Sequence, residues 1–243
     1  MTVCNRFLLL IALLGISTSG NAQKVVLQSD FVSSYVWRGI YQTGVSVQPT
    51  LGFTARNLSL TAWGSTDFDG TSGTSGRASK EIDLMLVYTL GKTGLSFSIA
   101  DLWWAGQGAG KYFHYRNHET AHHFEAGVTY ALSLEQLPLS ASWYTMFAGM
   151  DKNKDGKQNF SSYLELNYPF SVNCVELNAT CGVVPFQSHE IYGNSGFNVT
   201  NIALKGSVAI KLTDSFSFPI FAQAIWNPCS EDAHLVFGVT LKP

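Results

Sequence analysis

From Ser29 onward, large apolar and small polar side chains alternate with a period of two, the spacing at which an extended chain sends successive side chains to opposite faces. Phe31, Tyr35 and Trp37 alternate with Asp30, Val32, Ser34, Val36 and Arg38. Val47, Leu51 and Phe53 alternate with Ser46, Gln48, Thr50 and Gly52, and Leu58, Leu60 and Ala62 with Ser59, Thr61 and Trp63. The rhythm continues through Ile82 to Leu90, Leu95 to Ile99, Phe124 to Tyr130, Leu139 to Phe147, Leu164 to Tyr168, Val175 to Val183, Ile202 to Ile210, Phe216 to Trp226 and Leu235 to Leu241. It predicts about twelve strands, each of roughly 9 to 15 residues. Pro49 and Pro219 lie inside such runs, where a missing N–H predicts a bulge or bend. Asp101 falls on an apolar face, and a bulge near Ala100 would turn it inward.

The connections alternate between short and long. Tight turns are expected at Arg56-Asn57 and at residues 91–93, 133–136, 168–170 and 213–215. Longer polar loops are expected at 67–79, 105–119, 149–156, 186–195 and 227–232, with a modest first one at 39–43. Up-and-down membrane barrels have this asymmetry, with short turns at one end and larger loops at the other.

A soluble sandwich shows the same alternation with its apolar face inside, so composition has to decide which face looks outward. Charged residues make up 13% of the 243-residue chain, against about 25% in soluble domains. The polar face is chiefly Ser, Thr, Asn, Gln and Gly, which suits an enclosed lumen. The fold expected is all-β, an antiparallel up-and-down transmembrane β-barrel of about 12 strands with lipid-facing apolar side chains. In the first strand Phe31 then faces acyl chains, Tyr35 and Trp37 join an aromatic girdle at the outer interface, and Asp30 and Arg38 point into the lumen.

The two ends of the chain and its net charge add a destination. Arg6, the apolar run "FLLLIALLGI" (7–16) and the small residues Gly20 and Ala22 read as a secretory signal peptide over residues 1–22, leaving residues 23–243 as the barrel. No later apolar run is long enough for a spanning helix. The net charge of -2 offers no basic footprint, so nucleic acid is excluded as a partner; membrane lipid and small solutes or ions are the partners expected. Cys174 and Cys181, read as members of one strand, point to opposite faces and cannot bridge; with Cys229 they are read as free thiols.

Several stretches resemble the TorF-type porins, a family of Gram-negative outer-membrane barrels: "DFVSSYVWRGI" (30–40), "VQPTLGF" (47–53), "AWGS" (62–65), "KEIDLMLVYTLG" (80–91), "SSYLELNYPF" (161–170), "GFNVTNIALKGS" (196–207), "PIFAQAIWNP" (219–228) and "HLVFGVTL" (234–241). The resemblance implies an outer-membrane location and a barrel, and says little about substrate.

Few constellations suggest chemistry. "DKNKDG" (151–156) has the head of a calcium loop, but Ser162 stands where an EF-hand needs a bidentate Glu. His122 and His123, beside Glu125 and after His118, face opposite ways on a strand and cannot share one ion from the same sheet face. No cofactor, metal or catalytic set is expected. The informative polar set is the inferred lumen: Asp30, Arg38, Arg56, Glu81, Asp83, Glu125, Glu165, Glu176 and Lys205. Acids outnumber bases, so an open lumen would favour cations. The leading expectation is a passive, porin-like channel. The alternatives are a closed structural or surface-recognition barrel, in which these charges pair and plug the lumen, and a lipid hydrolase with Ser and His converging on the outer wall.

Overall fold

The computed structural model describes residues 23–68, 80–104, 111–116, 119–132, 137–211 and 217–242. The predicted signal segment, most of the loops expected at 67–79 and 105–119, and the turns at 133–136 and 213–215 lie outside the described residues. Twelve strands close into one antiparallel barrel. They are β1 (Lys24–Val32), β4 (Ser46–Ala55), β5 (Leu58–Asp67), β6 (Lys80–Thr89), β7 (Leu95–Trp104), β8 (His122–Ala131), β9 (Ser140–Gly149), β10 (Ser162–Val172), β11 (Val175–Val184), β12 (Asn198–Lys211), β13 (Ser217–Asn227) and β14 (Asp232–Leu241). Each pairs with its neighbour in sequence, and β1 closes the ring by pairing with both β4 and β14. Closure leaves no unpaired edge.

The apolar face is outside. Val25, Leu27, Leu51, Leu60, Leu84, Ile99, Leu204, Leu235 and Phe237 are 40–66% exposed, while their polar neighbours point into the ring. Among the described residues no helix is long and apolar enough to cross a membrane.

The first loop departs from the pattern. The run from Ser29 to Arg38 is not one strand: β1 stops at Val32, and Ser33 closes it off against β14, its N–H donating to the Phe237 carbonyl while its hydroxyl, in place of a backbone carbonyl, accepts from the Phe237 N–H. The next residues form a separate two-stranded sheet, β2 (Tyr35–Trp37) and β3 (Ile40–Thr43). This hairpin folds into the barrel. Tyr35 and Trp37 therefore belong to the interior and not to an outer aromatic girdle; alternation sets the parity of a side chain but cannot tell a wall strand from a strand enclosed by the wall.

Four smaller corrections concern proline, turn placement and register. No register shift occurs at Pro49, where the β4–β5 ladder is merely interrupted between the Val47–Thr66 and Thr50–Trp63 pairs, nor at Pro219, which lies just before β13–β14 pairing begins. The turn expected at 168–170 is strand: β10 runs through Pro169, beyond the last β9–β10 pair at Asn167–Ser140, and turns at Asn173, whose φ is +53°. In each case proline sits where one neighbouring ladder is open, so its missing N–H costs nothing. Cys174 is therefore in a turn and only Cys181 is on a strand; both, with Cys229, are free. No bulge occurs near Ala100, and Asp101 stays on the outward face opposite Leu84 and Phe124.

Candidate functional site

The hairpin turns at Arg38-Gly39, both with positive φ (+51° and +81°), the backbone of a two-residue loop that matches strand twist. Glycine adopts this geometry freely; arginine does so at a cost of about 1 to 2 kcal/mol. Arg38 is held there by its side chain. One guanidinium nitrogen donates to Glu125 Oε2 at 2.7 Å and to the Tyr192 hydroxyl at 2.6 Å, and the other donates to Glu125 Oε1 at 2.9 Å. The pair is bidentate and enclosed, with 11% of the Arg38 side chain and 7% of the Glu125 side chain exposed. Burial works against the charge of Arg38, but Glu125 and the Tyr192 hydroxyl more than offset it and hold the guanidinium above its ordinary pKa.

Aromatic rings complete the cage. The guanidinium carbon lies 4.5 Å from the ring centre of Trp37 and 4.6 Å from those of Tyr144 and Tyr163. Tyr192 comes from a short helix, α1 (His189–Tyr192), in the β11–β12 loop, which dips in beside the hairpin. Its ring stacks between Trp37 and Tyr163, with centroids 5.7 and 5.8 Å away. Burial pushes its phenol above the usual tyrosine pKa and keeps it neutral.

The hairpin reaches walls on every side. Tyr35 packs on Trp63 of β5, Trp37 on Trp104 of β7 and Tyr41 on His234 of β14, while Asn227 at the end of β13 donates to the Gly39 carbonyl at 3.1 Å. Val36 packs among Val32, Ala203, Ile225 and Val236, and Ile40 against Tyr163, Val184 and Tyr192. Contacts to so many strands of one closed ring are available only from its axis. The long-loop half of the lumen is thus a packed core with a buried ion pair inside it.

Seven of the nine candidate lumen residues, Asp30, Glu81, Asp83, Glu125, Glu165, Glu176 and Lys205, sit at inward positions of the wall. Arg38 reaches the lumen from the hairpin, and Arg56 lies exposed in the β4–β5 turn. The structure joins Arg38 to Glu125 in an ion pair and sets Tyr35 of the hairpin beside Glu81, so two of the acids face the hairpin. A register shift between Phe124 and Glu125 on the β8–β9 ladder lies at the ion pair.

Toward the short turns the lumen is polar and less filled. Glu165 accepts from the Tyr163 hydroxyl and the Asn167 amide, and Asn167 in turn accepts from Asn178 and Thr180. Thr240 donates to Asp30, and the Lys205 ammonium lies 4.0 Å from the Phe221 ring centre. A cavity of about 440 Å³ at this mouth is lined by Ser171, Glu176, Asn178, Lys205 and Ser207 among others.

The calcium-like loop engages two of its three candidate ligand side chains internally, and the third, Asp155, is exposed. Asp151 is fully buried and accepts from the Ser161 N–H and hydroxyl at 2.8 and 2.7 Å, and Asn153 accepts from the N–H groups of Asp155 and Lys157. His122 and His123 do face opposite ways: His123 packs on Trp104 inside, while His122 meets Asp101 outside.

Residues that the alternation did not single out are Gly39, Tyr192 and Tyr163. The Arg-Gly pair was the available signal for the first, since glycine at the second place of a two-residue loop marks a hairpin.

No family model matches the chain, and no curated protein matches it. Among solved structures the chain aligns with a mutant of the Rh. blastica porin over 94% of its own length and 80% of that chain, at 10% identity and a TM-score of 0.39. At that score the likeness carries no conclusion about function.

Proposed function

We propose that this chain is a Gram-negative outer-membrane barrel of the TorF kind, exported by residues 1–22, and that it provides a latched, porin-like passage for small solutes or ions. The apolar outer wall and the unequal loops support the membrane reading, with the short turns on the periplasmic side. The observation that carries the functional reading is the Arg38–Glu125 hairpin lodged across the outer half of the lumen, with a polar vestibule beneath it. At rest the passage is shut, and solute crosses only when the hairpin leaves its cage. No chemical step is assigned to the barrel. The acids Glu81 and Glu125, which in an open pore would favour cations, serve first as the hairpin's anchors. Val36 and its apolar neighbours favour a second reading, a permanently closed barrel that acts through its external loops.

Planar-bilayer recording separates these readings. The wild-type barrel should be mostly silent with rare discrete openings, and Glu125→Gln, which weakens the latch while keeping its shape, should raise the open fraction at least about tenfold, the equivalent of about 1.4 kcal/mol. A steady wild-type conductance unchanged by this substitution would contradict the latch. Silence in both proteins would favour the permanently closed barrel.

A further inference from the structure

On the outside of β7 and β8, two polar side chains occupy positions that the alternation reserves for apolar ones. Asp101 and His122 both point outward, and a bare carboxylate on a lipid-facing wall is destabilising, most at mid-depth and less near the interface. Here they are covered. His122 is fully buried, its Nδ1 2.6 Å from Asp101 Oδ1 and its Nε2 2.5 Å from the carbonyl oxygen of Tyr112. The Tyr115 hydroxyl donates to the other Asp101 oxygen at 3.0 Å, its ring stacks on His122 with centroids 4.1 Å apart, and Tyr112 packs edge-on against Trp103. Residues 111–116, "KYFHYR", are therefore fastened flat against the outer wall near the long-loop end.

What this flap presents outward is specific. Phe113 is 86% exposed and Tyr115 46% exposed, continuing the apolar band of the wall, and the exposed cations Lys111 and Arg116 flank them. Among the described residues the local acids are already engaged: Asp101 lies under the flap, and Glu119 pairs with His114 at 3.2 Å. Lys111 and Arg116 have no carboxylate partner there.

We propose that residues 111–116 form a docking surface for the phosphate-bearing headgroup of an anionic lipid at the outer face of the membrane. Phe113 and Tyr115 seat at the apolar boundary, Lys111 and Arg116 take the phosphate, and Asp101 with His122 are positioning residues that hold the flap against the wall. The proposal rests on the outer-membrane reading above. It explains why a carboxylate and an imidazole are retained on a wall that is otherwise apolar.

The full chain, purified in detergent, would be offered equal amounts of phosphatidylglycerol and phosphatidylcholine, and the retained lipid counted by native mass spectrometry. Phosphatidylglycerol should be retained in preference, and Lys111→Gln with Arg116→Gln should reduce that preference by about fivefold for each cation removed. Asp101→Asn, which leaves both cations in place, should reduce it as well. Excess inorganic phosphate should not displace the lipid. Equal retention of both lipids, a preference unchanged in the double variant, or displacement by inorganic phosphate would each overturn the inference while leaving the barrel in its micelle. A chain that is monodisperse without detergent would overturn the membrane reading itself.

Discussion

Exchanging Gly39 for valine is expected to drive hairpin β2–β3 out of the lumen. The Gly39 φ of +81° is one that a β-branched residue adopts only under strain of about 1 to 3 kcal/mol. A Cβ there would also lie 1.8 Å from the carbonyl oxygen of Thr200, a backbone atom of β12 that cannot step aside without breaking the wall. The expected result is a barrel whose twelve strands still close but whose conductance in planar bilayers is steady and high. Gly91→Val supplies the comparison, because Gly91 also has positive φ, +54°, yet a Cβ there meets nothing within 4 Å. Strain alone would make the two variants alike. Expulsion of the hairpin makes only Gly39→Val conduct.

The second large effect is on stability. Arg38→Met leaves Glu125 as an enclosed carboxylate without its cation, a loss of about 3 to 5 kcal/mol when one partner of a buried pair is removed. Adding Glu125→Met should recover most of that loss, because two apolar side chains of similar length can fill the same cage without any charge to satisfy. Denaturant unfolding of the four proteins in detergent measures the coupling. Single substitutions that each cost under 1 kcal/mol and simply add would mean that the pair is wet and that Arg38 does not pin the hairpin.

Much of the barrel is legible in the sequence because the alternation reports a local fact, which way each side chain points, and a closed wall turns that fact into inside and outside. Leu84, Ile99, Leu204 and Phe237 fall outside, and Glu81, Glu125, Glu165 and Lys205 inside, as their parity requires. The hairpin is not legible by the same rule. Tyr35 and Trp37 keep the aromatic rhythm of Phe31, and an aromatic girdle on lipid and an aromatic core around a plug demand the same residue types at the same spacing. The difference between them lies in contacts 87 and 154 residues away, to Glu125 and Tyr192, which no local pattern encodes.

Asp101 shows the converse. The sequence marked it as a residue out of place and predicted a bulge to rescue it. The chain instead keeps the strand regular and folds residues 111–116 of the following β7–β8 connection back over the charge, so the anomaly was a true signal with a different resolution. The prolines behave likewise: Pro49, Pro169 and Pro219 read as breaks, but each sits where a neighbouring strand offers no ladder to break.

The position of the hairpin can be read directly by chemical labelling. In a protein with Cys174, Cys181 and Cys229 replaced by serine, a single cysteine at Val36 would be exposed to a membrane-impermeant maleimide, with a cysteine at the exposed loop residue Asp155 as reference. A lumen filled by β2–β3 predicts that position 36 reacts far more slowly than position 155 and gains reactivity when Gly39→Val is added. Equal rates at positions 36 and 155 without that substitution would place the hairpin in water and leave the barrel open.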